Sequence, residues 1–309
     1  MTSSRAGRIL HPGKPRWAAA LLGLGLLAGC AGWGTPPGTV ALPQPAPSLF
    51  RDRGEAALAA EDHAAAAREF AEALRGDPDD TEARLGLADA RLGLGDAARA
   101  ATEFEALAEL ARAEPAQRAR ALQGRAIALL HQGRGTEAQP LLLEATRLKP
   151  LLWRAWNALG QTYDSARAPS EARAAYARAL ELRPLEPAIH NNLGMSWLHA
   201  GDPVTAERHF ARAVELAPRL AVAAANLRLA LALQGHYDEA LAGAGAGQRP
   251  DALNNVGYVA LLRGDHARAE GLFLAAMEAS PSFYQPAWLN LQFLGTMSGG
   301  GARPRELAP

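Results

Sequence analysis

The sequence predicts an all-α chain, an elongated right-handed α-solenoid of stacked helical hairpins, on three observations. Similar residues return every thirty-four positions from Pro47 onward. Within each half of the repeat, apolar residues recur at three- and four-residue steps, which puts one buried stripe on each helix. Turn formers such as Gly95-Asp96, Gly201-Asp202 and Gly264-Asp265 separate the halves, and a proline closes most units.

The chain opens with a different kind of segment. Residues 1–29 carry Arg5, Arg8, Lys14 and Arg16 and no acid, and end in the apolar run WAAALLGLGLLAG at 17–29. That run is shorter than the roughly 20 helical residues that cross a hydrocarbon core, and it fits the apolar segment of a secretory signal. Three glycines within it argue against a stable core helix. Residues 30–46 begin at Cys30 and continue AGWGTPPGTVALPQPA, rich in Gly and Pro and without a period, which predicts an extended or coil tether.

Seven repeat units follow over 47–283. The unit at 153–186 sets the register with Trp156, Leu159, Gly160, Tyr163, Ala172, Tyr176, Ala179 and Pro184. Thirty-four residues later stand His190, Leu193, Gly194, Trp197, Ala206, Phe210, Ala213 and Pro218, so only the first slot changes character. The units at 47–80, 81–118, 119–152 and 250–283 keep the pattern, with four extra residues before 119. The unit at 221–249 is five residues short, and its second helix, starting at Tyr237, runs into Gly-Ala-Gly-Ala-Gly at 243–247; a shortened helix is expected there. A small eighth residue (Gly54, Gly160, Gly194, Gly257) and the alanine at the twentieth slot allow close helix approach, and an aromatic at the twenty-fourth fills the space left. Residues 284–296 predict one last capping helix with Trp288, Leu291 and Leu294 on a single face, so the solenoid spans 47–296 and 297–309 is a flexible tail.

Composition narrows the function. Thirty-two basic residues balance 32 acidic ones, which argues against a nucleic-acid protein, since neutralising phosphates requires concentrated surplus cation. A single cysteine cannot close an internal disulfide. No H-E-x-x-H, no His pair at i, i+4 and no G-x-S-x-G elbow occurs, and the glycines at 243–247 lack the strand and the Lys-Ser/Thr of a phosphate loop. No catalytic, metal or cofactor site is expected. His209 and His266 fall in second helices or turns, where a solvated histidine is expected, and Asn192, Asn226 and Asn255 share the sixth slot, where a side-chain bond inside the repeat is expected.

The repeat spacing resembles the tetratricopeptide repeat, Trp-x2-Leu-Gly-x2-Tyr followed by Ala, an aromatic, Ala and Pro, over about four fifths of the chain. The resemblance implies that first helices line a concave wall whose exposed slots are the second, fifth, ninth, twelfth and thirteenth. Those slots hold Gln123, Ile127 and His131; Arg154, Asn157 and Gln161; Asn191, Met195 and His199; and Asn254, Tyr258 and Leu262. Amides there suit a peptide backbone, and Met and Tyr suit its side chains. Lys149 is the one lysine after the leader, so a lysine clamp for a carboxylate terminus is not expected.

Leu27-Ala28-Gly29-Cys30 resembles the lipobox of bacterial lipoproteins, which implies a diacylated Cys30 as the mature N-terminus and an anchored chain. Ala31, where aspartate favours inner-membrane retention in that family, implies an outer-membrane anchor facing the periplasm. The signal, the tether, the repeats and the passage at 254–294 together resemble the TadD-like lipoproteins of the tight-adherence (Flp, type IVb) pilus apparatus. That resemblance implies a non-catalytic scaffold whose partners are pilus or secretion proteins, with no nucleic acid and no cofactor. Two alternatives share this build: a lipoprotein adaptor that recruits cell-wall enzymes, and a regulatory subunit of a split enzyme.

Overall fold

The computed structural model describes residues 46–112 and 114–297. The leader, Cys30, the tether as far as residue 45 and residues 298–309 lie outside the described residues, as do the expectations placed on them.

Among the described residues there are fifteen α-helices and no strand. The first four hairpins are α1 (Pro47–Ala59) with α2 (His63–Gly76), α3 (Thr81–Gly93) with α4 (Ala97–Leu110), α5 (Pro115–His131) with α6 (Gly135–Leu148), and α7 (Trp153–Ser165) with α8 (Pro169–Leu182). The next three are α9 (Pro187–His199) with α10 (Pro203–Leu216), α11 (Ala221–Gln234) with α12 (Tyr237–Ala242), and α13 (Arg249–Leu262) with α14 (His266–Ala279). The single helix α15 (Gln285–Met297) follows. Each first helix packs on its own second helix, and each second helix packs on the next first helix. First helices also pack on the first helices of neighbouring units, whereas second helices lie farther apart and meet through long side chains, as where Arg268 on α14 pairs with Asp238 on α12. The stack is therefore tighter along the first helices, which form the inner side of an α-solenoid.

Local chemistry sets the helix ends. Asp62, Asp96, Asp202 and Asp265 each accept from the backbone N–H three residues on, at 2.8, 3.3, 2.9 and 3.2 Å, and so cap α2, α4, α10 and α14. The residue before each cap bends the chain through a left-handed conformation: Gly201 has φ +79° and Gly264 φ +80°, while Glu61 and Arg167 take the same place at +59° and +57°. Left-handed geometry costs a side-chain-bearing residue about 1 kcal/mol, so glycine is the favoured choice.

The recurring glycine of the first helix has a steric cause. The ring of the twenty-fourth residue lies flat against it: a Cβ on Gly160 would come within 2.5 Å of Tyr176, one on Gly194 within 2.6 Å of Phe210, and one on Gly54 within 2.8 Å of Phe70. All three rings are essentially fully buried. The ring also reaches the next unit, for Gly86 faces Phe70 and Gly124 faces Phe104. One aromatic side chain thus joins three helices.

Two departures from a regular stack trace to the sequence. The four extra residues before 119 lengthen α5, which begins at Pro115 and runs 17 residues. The short sixth unit gives α12 only six residues, followed by a 3-10 turn at Ala246–Gln248, as its glycines lead one to expect. At the far end α15 buries Ala287 and Leu294 and half-buries Trp288 and Leu291, closing the stack over α13 and α14.

Two glycine substitutions should separate packing from propensity. Gly160→Ala forces a methyl into the Tyr176 ring and should destabilise by about 1–3 kcal/mol. Gly271→Ala, in α14 with nothing near its missing Cβ, should stabilise by about 0.5–1 kcal/mol. Urea unfolding of both variants checks the opposite signs.

Candidate functional site

An interior first helix is contacted by first helices on either side and by two second helices, which leaves one open face along its length. That face is the inner wall. His131, Arg154, His199, Tyr258 and Leu262 stand exposed on it, the last two at 46% and 67%. Ile127, Asn157, Gln161, Asn191 and Met195 are half-buried there.

Two of the expected wall residues are instead buried, Gln123 at 7% exposure and Asn254 at 8%. One turn before Gln123 on α5, Arg120 reaches across to α3, where it pairs with Glu82 and donates to Asp89 Oδ2 at 3.1 Å. Asn254 is covered by α15, whose Asn290 Nδ2 donates to its Oδ1 at 2.9 Å.

That last bond belongs to a series. Asn192 Nδ2 donates to Asn157 Oδ1 at 3.1 Å, and Asn226 Nδ2 donates to Asn191 Oδ1 at 2.8 Å. The sixth-slot amides of α9 and α11 therefore bond to the fifth-slot amide of the preceding unit, and Asn192 also accepts from Asn191 inside its own repeat at 3.5 Å, the kind of bond expected from sequence. Asn255 has the in-repeat bond alone, accepting from Asn254 at 3.4 Å. These ladders fix the spacing of neighbouring first helices. They also leave Asn157 Nδ2 and Asn226 Oδ1 without a partner among the described residues, a donor and an acceptor facing the wall.

The wall changes chemistry along its length. At α3, α5 and α7 it is ionic, with Glu82, Asp89, Arg120 and Arg154; burial pushes the Asp89 carboxyl above the usual carboxylate range, and Arg120 pulls against that shift. At α9 and α11 it is amide-rich. Beyond that it is apolar: Tyr258 and Leu262 on α13 are followed by exposed Leu289, Phe293 and Met297 on α15. These last three escaped the sequence reading, which treated α15 only as a cap. Their spacing of four, on a helix with no charged residue, was the available signal.

Two further contacts explain substitutions between units. Trp156 Nε1 donates to the carbonyl of Pro150 at 2.9 Å, and His190 Nε2 lies 3.1 Å from the carbonyl of Pro184. The fourth slot thus presents a ring N–H to the proline that closes the preceding unit, a task that Trp and His share. With Nε2 donating, Nδ1 of His190 is the free lone pair, and it meets Nδ1 of His209 at 3.5 Å. His209 is therefore half-buried against a second histidine and not solvated as expected, whereas His266 is exposed. Between units four and five, Asp164 accepts from Tyr176 Oη at 2.9 Å and from Ser196 Oγ at 2.7 Å. Burial first, and then the Asp164 charge, hold the Tyr176 phenol far above its usual range.

Tandem antiparallel helix pairs with a continuous inner wall define an α-solenoid of the interaction-module class. Tetratricopeptide-repeat profiles match residues 57–126 and, in two overlapping stretches, 124–174 and 157–221. They cover more than half of the chain, which belongs to the tetratricopeptide-repeat family, a family that mediates protein–protein interactions. No curated protein matches the sequence. Among solved structures, a thermophilic repeat protein of this type from Thermus thermophilus is similar at 23% identity, over 63% of this chain and 99% of its own, with a TM-score of 0.51. The APC/C hetero-tetramer Cut9-Hcn1 matches 80% of this chain and 53% of its own at 18% identity and a TM-score of 0.57. A monomeric IFIT1 mutant with Gppp-AAAA matches 82% and 64% at 16% identity and 0.60. At these identities the likeness is one of fold alone.

The histidine pair should leave a signature in pH. Burial, with His190 adding to it, lowers the pKa of His209 in the folded chain, so the unfolded chain binds a proton near pH 6.5 that the folded chain resists. Its stabilising contribution is complete above about pH 6.5 and falls as pH drops through the lower folded value. Urea titrations across that range should show this slope in the parent protein and a weaker one in His209→Leu.

Proposed function

We infer that this chain is a non-catalytic lipoprotein scaffold, held to the outer membrane by acyl chains on Cys30 and facing the periplasm, whose inner wall gathers components of an Flp (type IVb) pilus or related secretion machine. The observation that carries the scaffold reading is the unbroken wall of first helices, with free amide groups in its middle and apolar side chains at its C-terminal end. Amides bond the backbone of an extended or helical segment, and the apolar residues hold its side chains.

The membrane and pilus parts rest on sequence. Leu27-Ala28-Gly29-Cys30 supplies the acylation signal, and Ala31 supports export to the outer membrane. Each buried acyl methylene contributes about 0.8 kcal/mol, so two or more chains hold a protein firmly where one does not. No helix among the described residues is long and apolar enough to cross a membrane. The passage at 254–294 supports the pilus apparatus as the setting.

Changing Cys30→Ser should release the protein from the membrane fraction or block its maturation while leaving its helical content and unfolding midpoint unchanged. Normal acylation and fractionation in that variant would refute the anchor. Crosslinking of the native, membrane-attached protein should recover a secretin, pilot or pilus protein. Recovery of peptidoglycan hydrolases or synthases in their place would transfer the scaffold to cell-wall assembly.

A further inference from the structure

The sixth unit lacks the packing device of its neighbours. In four units a glycine at the eighth slot faces the ring at the twenty-fourth slot of the same unit: Gly54 with Phe70, Gly160 with Tyr176, Gly194 with Phe210, and Gly257 with Phe273. In unit six the eighth slot is Arg228, and the twenty-fourth falls at Ala244, beyond the end of α12 at Ala242. No ring is available, and a cleft of about 570 Å³ opens between α11 and α13. Its lining mixes apolar Ala225, Leu229, Val256 and Val259 with amide side chains such as Asn226 and Asn255, and Tyr258 joins it to the exposed row that continues through Leu262 to Phe293.

The guanidinium at the cleft also lacks a direct partner. Arg228 has no hydrogen-bond or ion-pair partner among the described residues, unlike Arg120 on α5 or Arg268 on α14, which pair with carboxylates of the preceding unit. Asp251, the acid of the lining, accepts from the hydroxyl of Tyr284. A half-buried guanidinium without a partner favours a carboxylate as its counter-charge.

We propose that this cleft is the anchor site of the wall: it takes one bulky apolar side chain, aromatic or leucine-sized, from a partner polypeptide that carries an acidic residue close by for Arg228. The volume suits such a group, since pockets of a few hundred Å³ hold small ligands and buried anchor residues dominate interface energetics. The occupant thereby supplies from outside the ring that the other units carry themselves. This inference rests on the scaffold reading above and specifies its partner's chemistry.

The test uses the acylated, full-length protein in detergent and a phage-displayed library of random linear peptides as the probe. Enriched peptides should share a bulky apolar residue near an Asp or Glu. They should lose about tenfold or more in affinity for Ala225→Trp, which fills the cleft from an exposed position, and for Arg228→Glu. Replacing the peptide's acid by lysine should weaken binding to the parent protein and restore it to Arg228→Glu. Enriched peptides that bind both variants like the parent, yet fail on Arg154→Glu, would overturn the anchor site and leave the scaffold reading standing. A library that yields no binder would overturn both. Should Ala225→Trp unfold, the charge-reversal pair decides alone.

Discussion

The structure depends on one contact, an aromatic ring of the second helix lying against a glycine of the first. A glycine in mid-helix sacrifices up to about 1 kcal/mol of propensity, and an isolated helical hairpin has no means of recovering it. The stack recovers it because the ring that needs the space is fully buried and touches the next unit as well. Phe70 meets both Gly54 and Gly86, so the same side chain closes its own hairpin and fastens the following one. Cohesion is therefore local and repeated, and cooperativity passes from unit to unit through these rings and through the asparagine bonds between first helices.

That constraint explains why the fold was legible in the sequence. The thirty-four-residue register, the glycines and the closing prolines report steric demands that any hairpin of this kind must meet, and helix order, unit count and the truncated α12 all follow from them. The wall was less legible, because slot position fixes direction but not coverage. Gln123 and Asn254 occupy the right slots and are nonetheless buried, Asn254 beneath a bond from Asn290 of α15. The bonds from Asn192 and Asn226 to the preceding unit span thirty-five residues, a separation at which periodicity within one helix carries no information. The pairing of His209 with His190, nineteen residues apart on the two helices of one hairpin, was hidden because it joins different helices.

The wall's change of chemistry along its length gives the molecule direction. Ion pairs at α3 to α5 satisfy one another across units and so stiffen the N-terminal part without offering free charge. The amide-rich middle offers directional hydrogen bonds, and the C-terminal part offers apolar surface with an unpaired arginine at its edge. The short unit six coincides with the cleft between α11 and α13.

The most direct measurement is site-specific photocrosslinking from the protein in its native cells, with the reactive side chain placed at Met195 or Tyr258 on the inner wall and, for comparison, at exposed Leu143 on the second helix α6. The expected result is a discrete protein adduct from the two wall positions and none from Leu143. Adducts formed from Leu143 alone, or from no position, would contradict the assignment of the inner wall as the gripping surface.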